Sequence, residues 1–426
     1  MTRPTIGKAR STIASVKTGK PRPGFTGNLL FLLIALGMVT LIAQSGFVTE
    51  HPGDETAVAE EVAGPAFTDD ELFFYQDTIT RLLLSQNFNG GVLVARNGTV
   101  LLSRSFGFAD FRNHTPLTQD TPFQLASISK TFTASAVLLL HERGQLHIDS
   151  AVSAYIPEFP YPQITVRQLL NHTSGLQNYM WLVERYWKAP HPPGNEDMLQ
   201  LFVRHTRPLD FRPGTRWAYS NTGYGFLGLL VERVSGQGFS AFLHENIFGP
   251  LGMHNSFVYD LHADEPAPPA RAYGFRPWGR GHIIIPDVPH DGVSGDKGIY
   301  SSITDLYKWD QAISRNEILS EEGWQTAFAY TRLANERTVR YGLGWRLQSF
   351  LDHEVVHHPG RWNGFRTSFK RFPTLGATII ILNNTNRNVA PLINELQNIV
   401  FRNEIAALET APKPEDQDEY DMVGGQ

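Results

Sequence analysis

The chain has 426 residues, of which 41% are hydrophobic and 19% charged, enough apolar material for one large domain or two intimate ones. A formal net charge of −5 gives no electrostatic case for nucleic-acid binding. The absence of cysteine excludes disulfides, thiol nucleophiles and cysteine-zinc sites.

The first 26 residues are basic through Arg3, Lys8, Arg10, Lys17, Lys20 and Arg22, and an apolar run from Leu29 to Val48 follows. That order is the positive-inside pattern. Residues 1–26 are therefore expected in the cytoplasm, 27–48 as a transmembrane anchor and the rest outside the cytoplasm. The alternative is a secreted protein, cleaved near Ala43-Gln44-Ser45. Residues 49–67 are polar and read as a linker.

A helix capped by Asp69 or Asp70 is predicted to about Ser85, with Leu72, Phe73, Ile79, Leu82 and Leu83 on its apolar side. Two apolar runs flanking Asn97-Gly98 predict a hairpin. Phe123 to Gly144 reads as a helix closed by its glycine. Helical patterns dominate from about 131 to 290, around Pro-rich loops at 190–193 and 266–269. They include Thr165–Asn171, ending in the turn His172-Thr173-Ser174-Gly175, and Thr222–Ser235. Ser302 caps a further helix towards Ile313. Strands are predicted over Arg340–Leu347, Glu354–His358, Arg366–Phe372 and Ala377–Leu382, then an amphipathic helix over Ala390–Phe401. The acidic end, from 403 onward, is expected to be disordered. Strands at both ends with helices between predict an α/β fold of the α+β type. Its antiparallel sheet, flanked by helices, is built from both ends of a domain spanning 68–402, with an inserted, mainly helical lobe.

Ser127 and Lys130 stand three apart, so on a helix they share a face. A helix start favours negative charge at the serine, and a lysine buried beside it loses its proton near neutral pH. A serine next to a neutral amine is a competent nucleophile; the same spacing also fits a serine that merely caps a helix. Tyr219-Ser220-Asn221 follows a Pro213-Gly214 turn. Ammonium groups near Tyr219 are expected to lower its pKa so that it relays a proton to a leaving group, while Asn221 orients the lysine and a substrate carbonyl. A buried aromatic followed by an asparagine cap is the alternative. His141-Glu142 and His244-Glu245 lack the second histidine of H-E-x-x-H, and His357-His358 lack a carboxylate cluster, so neither metal nor cofactor is expected. Trp181, Tyr186 and Trp187 read as a substrate-binding loop or as local core.

The succession Ser127-Ile-Ser-Lys130, Leu169 to Leu176, Phe211 to Asn221 and His358-Pro359-Gly360 resembles the serine beta-lactamase and penicillin-binding-protein superfamily over about 70–402. It is most similar to the group of class C beta-lactamases, D,D-carboxypeptidases, D-aminopeptidases and related esterases. The resemblance implies that Ser127 is acylated, that Lys130 and Tyr219 share the base and acid roles and that Asn221 orients the site. The Lys-Thr-Gly of the best-known members is replaced. Lys17-Thr18-Gly19 precedes the apolar span and His51-Pro52-Gly53 lies in the linker, so only His358-Pro359-Gly360 follows a strand-like run, as in the H-x-G variant. The resemblance implies that His358 is a donor whose charge follows pH and that Gly360 lets a substrate lie close to the strand. It also implies that the backbone N–H of Arg361 joins that of Ser127 as an oxyanion hole. Losing the lysine predicts poor beta-lactam turnover. The implied activity is that of a membrane-anchored, extracytoplasmic serine hydrolase acting on an ester or a peptide-like amide, cell-wall-derived substrates included. The alternative is a non-catalytic envelope binding protein that keeps the fold.

Overall fold

Runs of apolar side chains build the sheet. The strands Gly90–Arg96 (β1) and Thr99–Phe106 (β2) pair across Asn97 and Gly98, whose φ values of 50° and 73° suit a two-residue turn with the twist of the strands. Four strands near the other end complete it: Arg346–Phe350 (β3), His353–Trp362 (β4), Phe365–Phe372 (β5) and Ala377–Asn383 (β6). The six run antiparallel in the order β3-β4-β5-β6-β1-β2. The register of β1 on β6, from Gly90↔Asn383 to Arg96↔Ala377, joins the two ends of the domain inside the sheet, one strand from its β2 edge. The computed structural model describes residues 67–259, 261 and 270–410. The basic segment, the apolar span, the linker up to 66, Lys17-Thr18-Gly19, His51-Pro52-Gly53, the 266–269 loop and the tail from 411 lie outside the described residues. No helix among the described residues is long and apolar enough to cross a membrane.

Both sheet faces are covered, which is why β1 and β6 are apolar at successive positions. Val92, Val94, Ile379 and Ile381 face a core with Ile79 and Leu83 of helix α1 (Asp69–Ser85) and with Leu392 and Leu396 of the late helix Ala390–Val400. Leu93, Ile380 and Leu382 face the other core, which holds Phe132 and Leu140 of helix α2 (Ser129–Glu142) and Trp309 of the helix Ile303–Ser314. Each such side chain contributes about 1.5–3 kcal/mol relative to exposure. Between β2 and β3 the regular elements are mainly helices, interleaved with short strands in two- and three-stranded sheets; α3 (Val166–Leu170) is capped by Thr165 and α4 (Asn221–Ser235) is closed by Gly236 in the left-handed region.

Several local expectations change. Thr68, with Glu71 in a capping box, starts α1 instead of an aspartate, and Phe73 is 69% exposed, because Tyr75, Ile79 and Leu83 form the inward stripe. Helix α2 starts at Ser129 and not at Phe123: Phe123 and Gln124 pair with Ser301 and Tyr300, and Ala126–Ile128 is a 3₁₀ turn. Strand β4 runs through His358-Pro359-Gly360 to Trp362 and does not stop at the histidine. The chain expected to be disordered from 403 begins as a helix, Arg402–Thr410, because it finds partners: Glu404 pairs with Arg96 and the Arg402 guanidinium lies 3.7 Å from the Phe74 ring centre.

Candidate active site

Ser127 sits in the 3₁₀ turn, half-buried, just before α2. The residue before it, Ala126, has φ +51°, a conformation that costs a non-glycine residue about 1–2 kcal/mol. Three contacts hold the turn there. Leu125 N–H donates to the Ile299 carbonyl at 2.8 Å, Thr367 Oγ1 donates to the Leu125 carbonyl at 2.8 Å, and the turn lies directly on Gly360. A Cβ at Gly360 would stand 2.2 Å from the Leu125 oxygen and 2.0 Å from Thr367 Oγ1. The space over Gly360 is thus filled by the turn that carries Ser127. The glycine permits that approach, where the sequence had suggested the approach of a substrate. Neither Ser127 nor Asn221 caps a helix: α2 has no side-chain cap, and Ser220 caps α4 by accepting the N–H of Gly223.

Lys130 has no exposed surface. Its Nζ lies 3.4 Å from Ser127 Oγ, donates to the Asp296 carbonyl at 2.6 Å, and faces the rings of Tyr219 at 5.1 Å and Tyr224 at 5.5 Å. Burial draws its pKa down to about 8, helped by the charge of Arg346 and opposed by that of Asp296. The Asp296 carboxylate is itself buried and is balanced by Lys297, whose Nζ is 3.3 Å from Asp296 Oδ1 and 2.7 Å from the Tyr179 hydroxyl.

Tyr219 corrects the expectation of an acidified phenol. Burial raises its pKa well above the ordinary range, more than the neighbouring Ser127 hydroxyl and Arg346 lower it, so the phenol keeps its proton. Its hydroxyl is buried without a hydrogen bond, as is Asn221 Oδ1, so two polar atoms at the site stand without a protein partner. His358 corrects the expectation of a pH-dependent charge. It is 1% exposed, and burial together with Lys130 and Arg346 holds its pKa well below the imidazole range, so the ring stays neutral. Its nitrogens are engaged, Nδ1 with the Pro359 carbonyl at 2.8 Å and Nε2 with the Tyr341 hydroxyl at 3.3 Å. Arg361 is exposed. It lies where β4 has passed its last ladder partner on β3, His357↔Arg346, so this stretch forms a free strand edge beside the Ser127 turn.

Four residues at the site were not singled out in the sequence. Arg346 opens β3 and places its guanidinium 5.3 Å from the Tyr219 ring centre, a cation near the cleft that no motif announces. Asp296 lies in no predicted element. His172 was legible only as part of a turn and Tyr341 only as part of a strand. Of the aromatic patch, Trp181 is 60% exposed and lines a cavity of about 170 Å³ with Phe211, Tyr219 and Asn221. Tyr186 stacks on His205 and Trp187 donates to the His191 carbonyl, which is local packing.

A family model described as Beta-lactamase matches residues 75–401. A penicillin-binding protein of Bacillus subtilis strain 168 is 36% identical over 307 residues, 70% of this chain and 68% of the relative. A D-aminopeptidase of Brucella ovis is 29% identical over 66% of this chain but only 54% of its own length, so the chain spans about half of that relative. Among solved structures, the penicillin-binding protein from Bacillus halodurans is 26% identical, with 77% of this chain and 98% of that one covered at a TM-score of 0.64. The D-amino acid amidase from Ochrobactrum anthropi SV3, complexed with L-phenylalanine amide, covers 79% and 99% at a TM-score of 0.66; at 24% identity this is a likeness of fold.

Proposed function

The chain belongs to the beta-lactamase family and is a serine hydrolase, and from that premise we propose that it cleaves a peptide-like amide, or an ester, through an acyl-enzyme on Ser127. The observation that carries the proposal is Lys130: a fully buried amine, drawn down to about 8, within 3.4 Å of the serine oxygen. In its neutral form it takes the Ser127 proton as Oγ attacks the carbonyl. The oxyanion goes to the backbone N–H groups of Ser127 and of Arg361 on the free edge of β4. Tyr219, a neutral phenol, hands a proton to the departing amine and recovers it from Lys130. Asn221 holds the acyl part of the substrate, and water then releases the acyl group. His358 acts on substrate through the shape of the strand, since its nitrogens are already used.

The relative named a D-aminopeptidase supports a peptide-like amide, and the lack of a fixed cation at His358 argues against efficient beta-lactam turnover. The basic segment and apolar run before residue 49 support an anchor that leaves the catalytic domain outside the cytoplasm. The test is intact-protein mass spectrometry of the full chain after a fluorophosphonate, a penicillin, a p-nitrophenyl ester and a D-Ala-D-Ala peptide, with Ser127→Ala alongside. An adduct lost in the variant is expected, persistent with the fluorophosphonate and short-lived with the amide donor, which the enzyme turns over. No adduct on folded protein would favour the non-catalytic binding protein instead.

A further inference from the structure

Resting on that reading, we propose that His172 and Tyr341 are positioning residues. Through them a one-way hydrogen-bond relay ties the Tyr219-Ser220-Asn221 loop to the Pro359-Gly360 strand and fixes His172 and His358 in opposite tautomers. The direction of each bond follows from the two ends. At one end the Ser220 N–H, 3.1 Å from His172 Nδ1, can only donate, so Nδ1 is bare and the ring hydrogen is on Nε2. At the other end the Pro359 carbonyl, 2.8 Å from His358 Nδ1, can only accept, so here the hydrogen is on Nδ1 and Nε2 is bare. Between the two Nε2 atoms stands the Tyr341 hydroxyl, 2.9 Å from His172 and 3.3 Å from His358. It accepts from the first and donates to the second, with the Tyr224 hydroxyl, which itself donates to the Leu170 carbonyl at 2.7 Å, as a further neighbour.

The three side chains are 0–1% exposed, so water does not replace a missing link, and each broken bond strands a buried polar group. Burial and the charges of Lys130 and Arg346 disfavour protonation of either ring, which keeps the neutral pattern in place. The relay also flanks Tyr219. The His172 ring centre is 4.4 Å from that of Tyr219 and the His358 ring centre 6.1 Å, while the His172 carbonyl accepts the Ala218 N–H at 3.0 Å. These contacts set the place of the Tyr219 ring beside Ser127.

Two-bond ¹H–¹⁵N spectra of histidine-labelled protein test the relay without reference to activity, with His172→Gln and Tyr341→Phe used for assignment. His172 is expected as the Nε2–H tautomer and His358 as Nδ1–H. Finding the same tautomer in both, or either ring protonated near neutral pH, overturns the relay. In kinetics with an amide donor, Tyr341→Phe, which keeps the ring volume, is expected to lower kcat at least tenfold with KM within about twofold, on active sites counted by fluorophosphonate. His172→Gln, which retains a donor towards Tyr341, is expected to recover part of the loss shown by His172→Leu. Unchanged kcat per labelled site in Tyr341→Phe refutes the positioning role even if that variant melts earlier. If no reagent labels Ser127 in the parent, the hydrolase reading fails while the spectra still decide the relay.

Discussion

With its pKa drawn down to about 8, Lys130 is neutral in about a tenth of molecules near pH 7. The rate of Ser127 labelling by a fluorophosphonate is therefore expected to rise about tenfold per pH unit below that value and to level off above it. Stopped-flow labelling from about pH 6 to about pH 10 checks this, and a flat profile counts against lysine as the base. The same burial acts on stability. The unfolded chain holds the lysine proton up to its ordinary pKa of 10.5 and the folded one only to about 8, so between these values stability rises with pH, and below them the fold carries the full cost of a buried ammonium. Lys130→Met is thus expected to abolish acylation while raising stability near pH 7 by about 1–3 kcal/mol, read by urea unfolding. Tyr219, which keeps its proton, matters where a leaving group needs one. Tyr219→Phe is expected to cost about a hundredfold or more with an amide and far less with a p-nitrophenyl ester, and equal losses would show that its proton is not the one transferred.

At the scale of elements, the Ser127 turn and β4 form one unit. Ala126 stays in its left-handed conformation because Leu125 is held at both its N–H and its carbonyl and because Gly360 leaves room. Gly360→Ala places a Cβ against backbone oxygen, which cannot rotate away. Acylation is expected to fall at least a hundredfold, with a lower melting temperature and little change in far-ultraviolet dichroism. Near-parental labelling of Ser127 would show that turn and strand are independent. The Ser127–Lys130 spacing was legible from the chain, as was the loop with Tyr219, because both are local. The start of α2 was not, since Phe123 and Gln124 are claimed by pairing with Ser301 and Tyr300, residues far along the chain.

Over the whole molecule, the two ends of the domain meet as β1 on β6, and the helix Arg402–Thr410 braces the outer face through Glu404 on Arg96 and Arg402 on Phe74. Ending the chain after Phe401 is expected to lower the unfolding free energy by about 1 kcal/mol, since the ion pair is only partly buried, and to leave kcat per labelled site unchanged; calorimetry with active-site titration checks both. By itself the sequence determined what depends on neighbours in the chain. Two apolar faces made β1 and β6 inner strands, Asn97-Gly98 made a hairpin, Thr165 and Ser302 made helix starts, and the spacing of Ser127 and Lys130 brought their side chains together. Only the tertiary structure decided the charges. Whether Tyr219 is acidic, whether His358 is cationic and what Gly360 makes room for depend on burial and on Arg346, Asp296 and Tyr341, groups brought in from distant segments. A pKa follows the dielectric and the charges around a group, and those are set by packing, which no local pattern encodes.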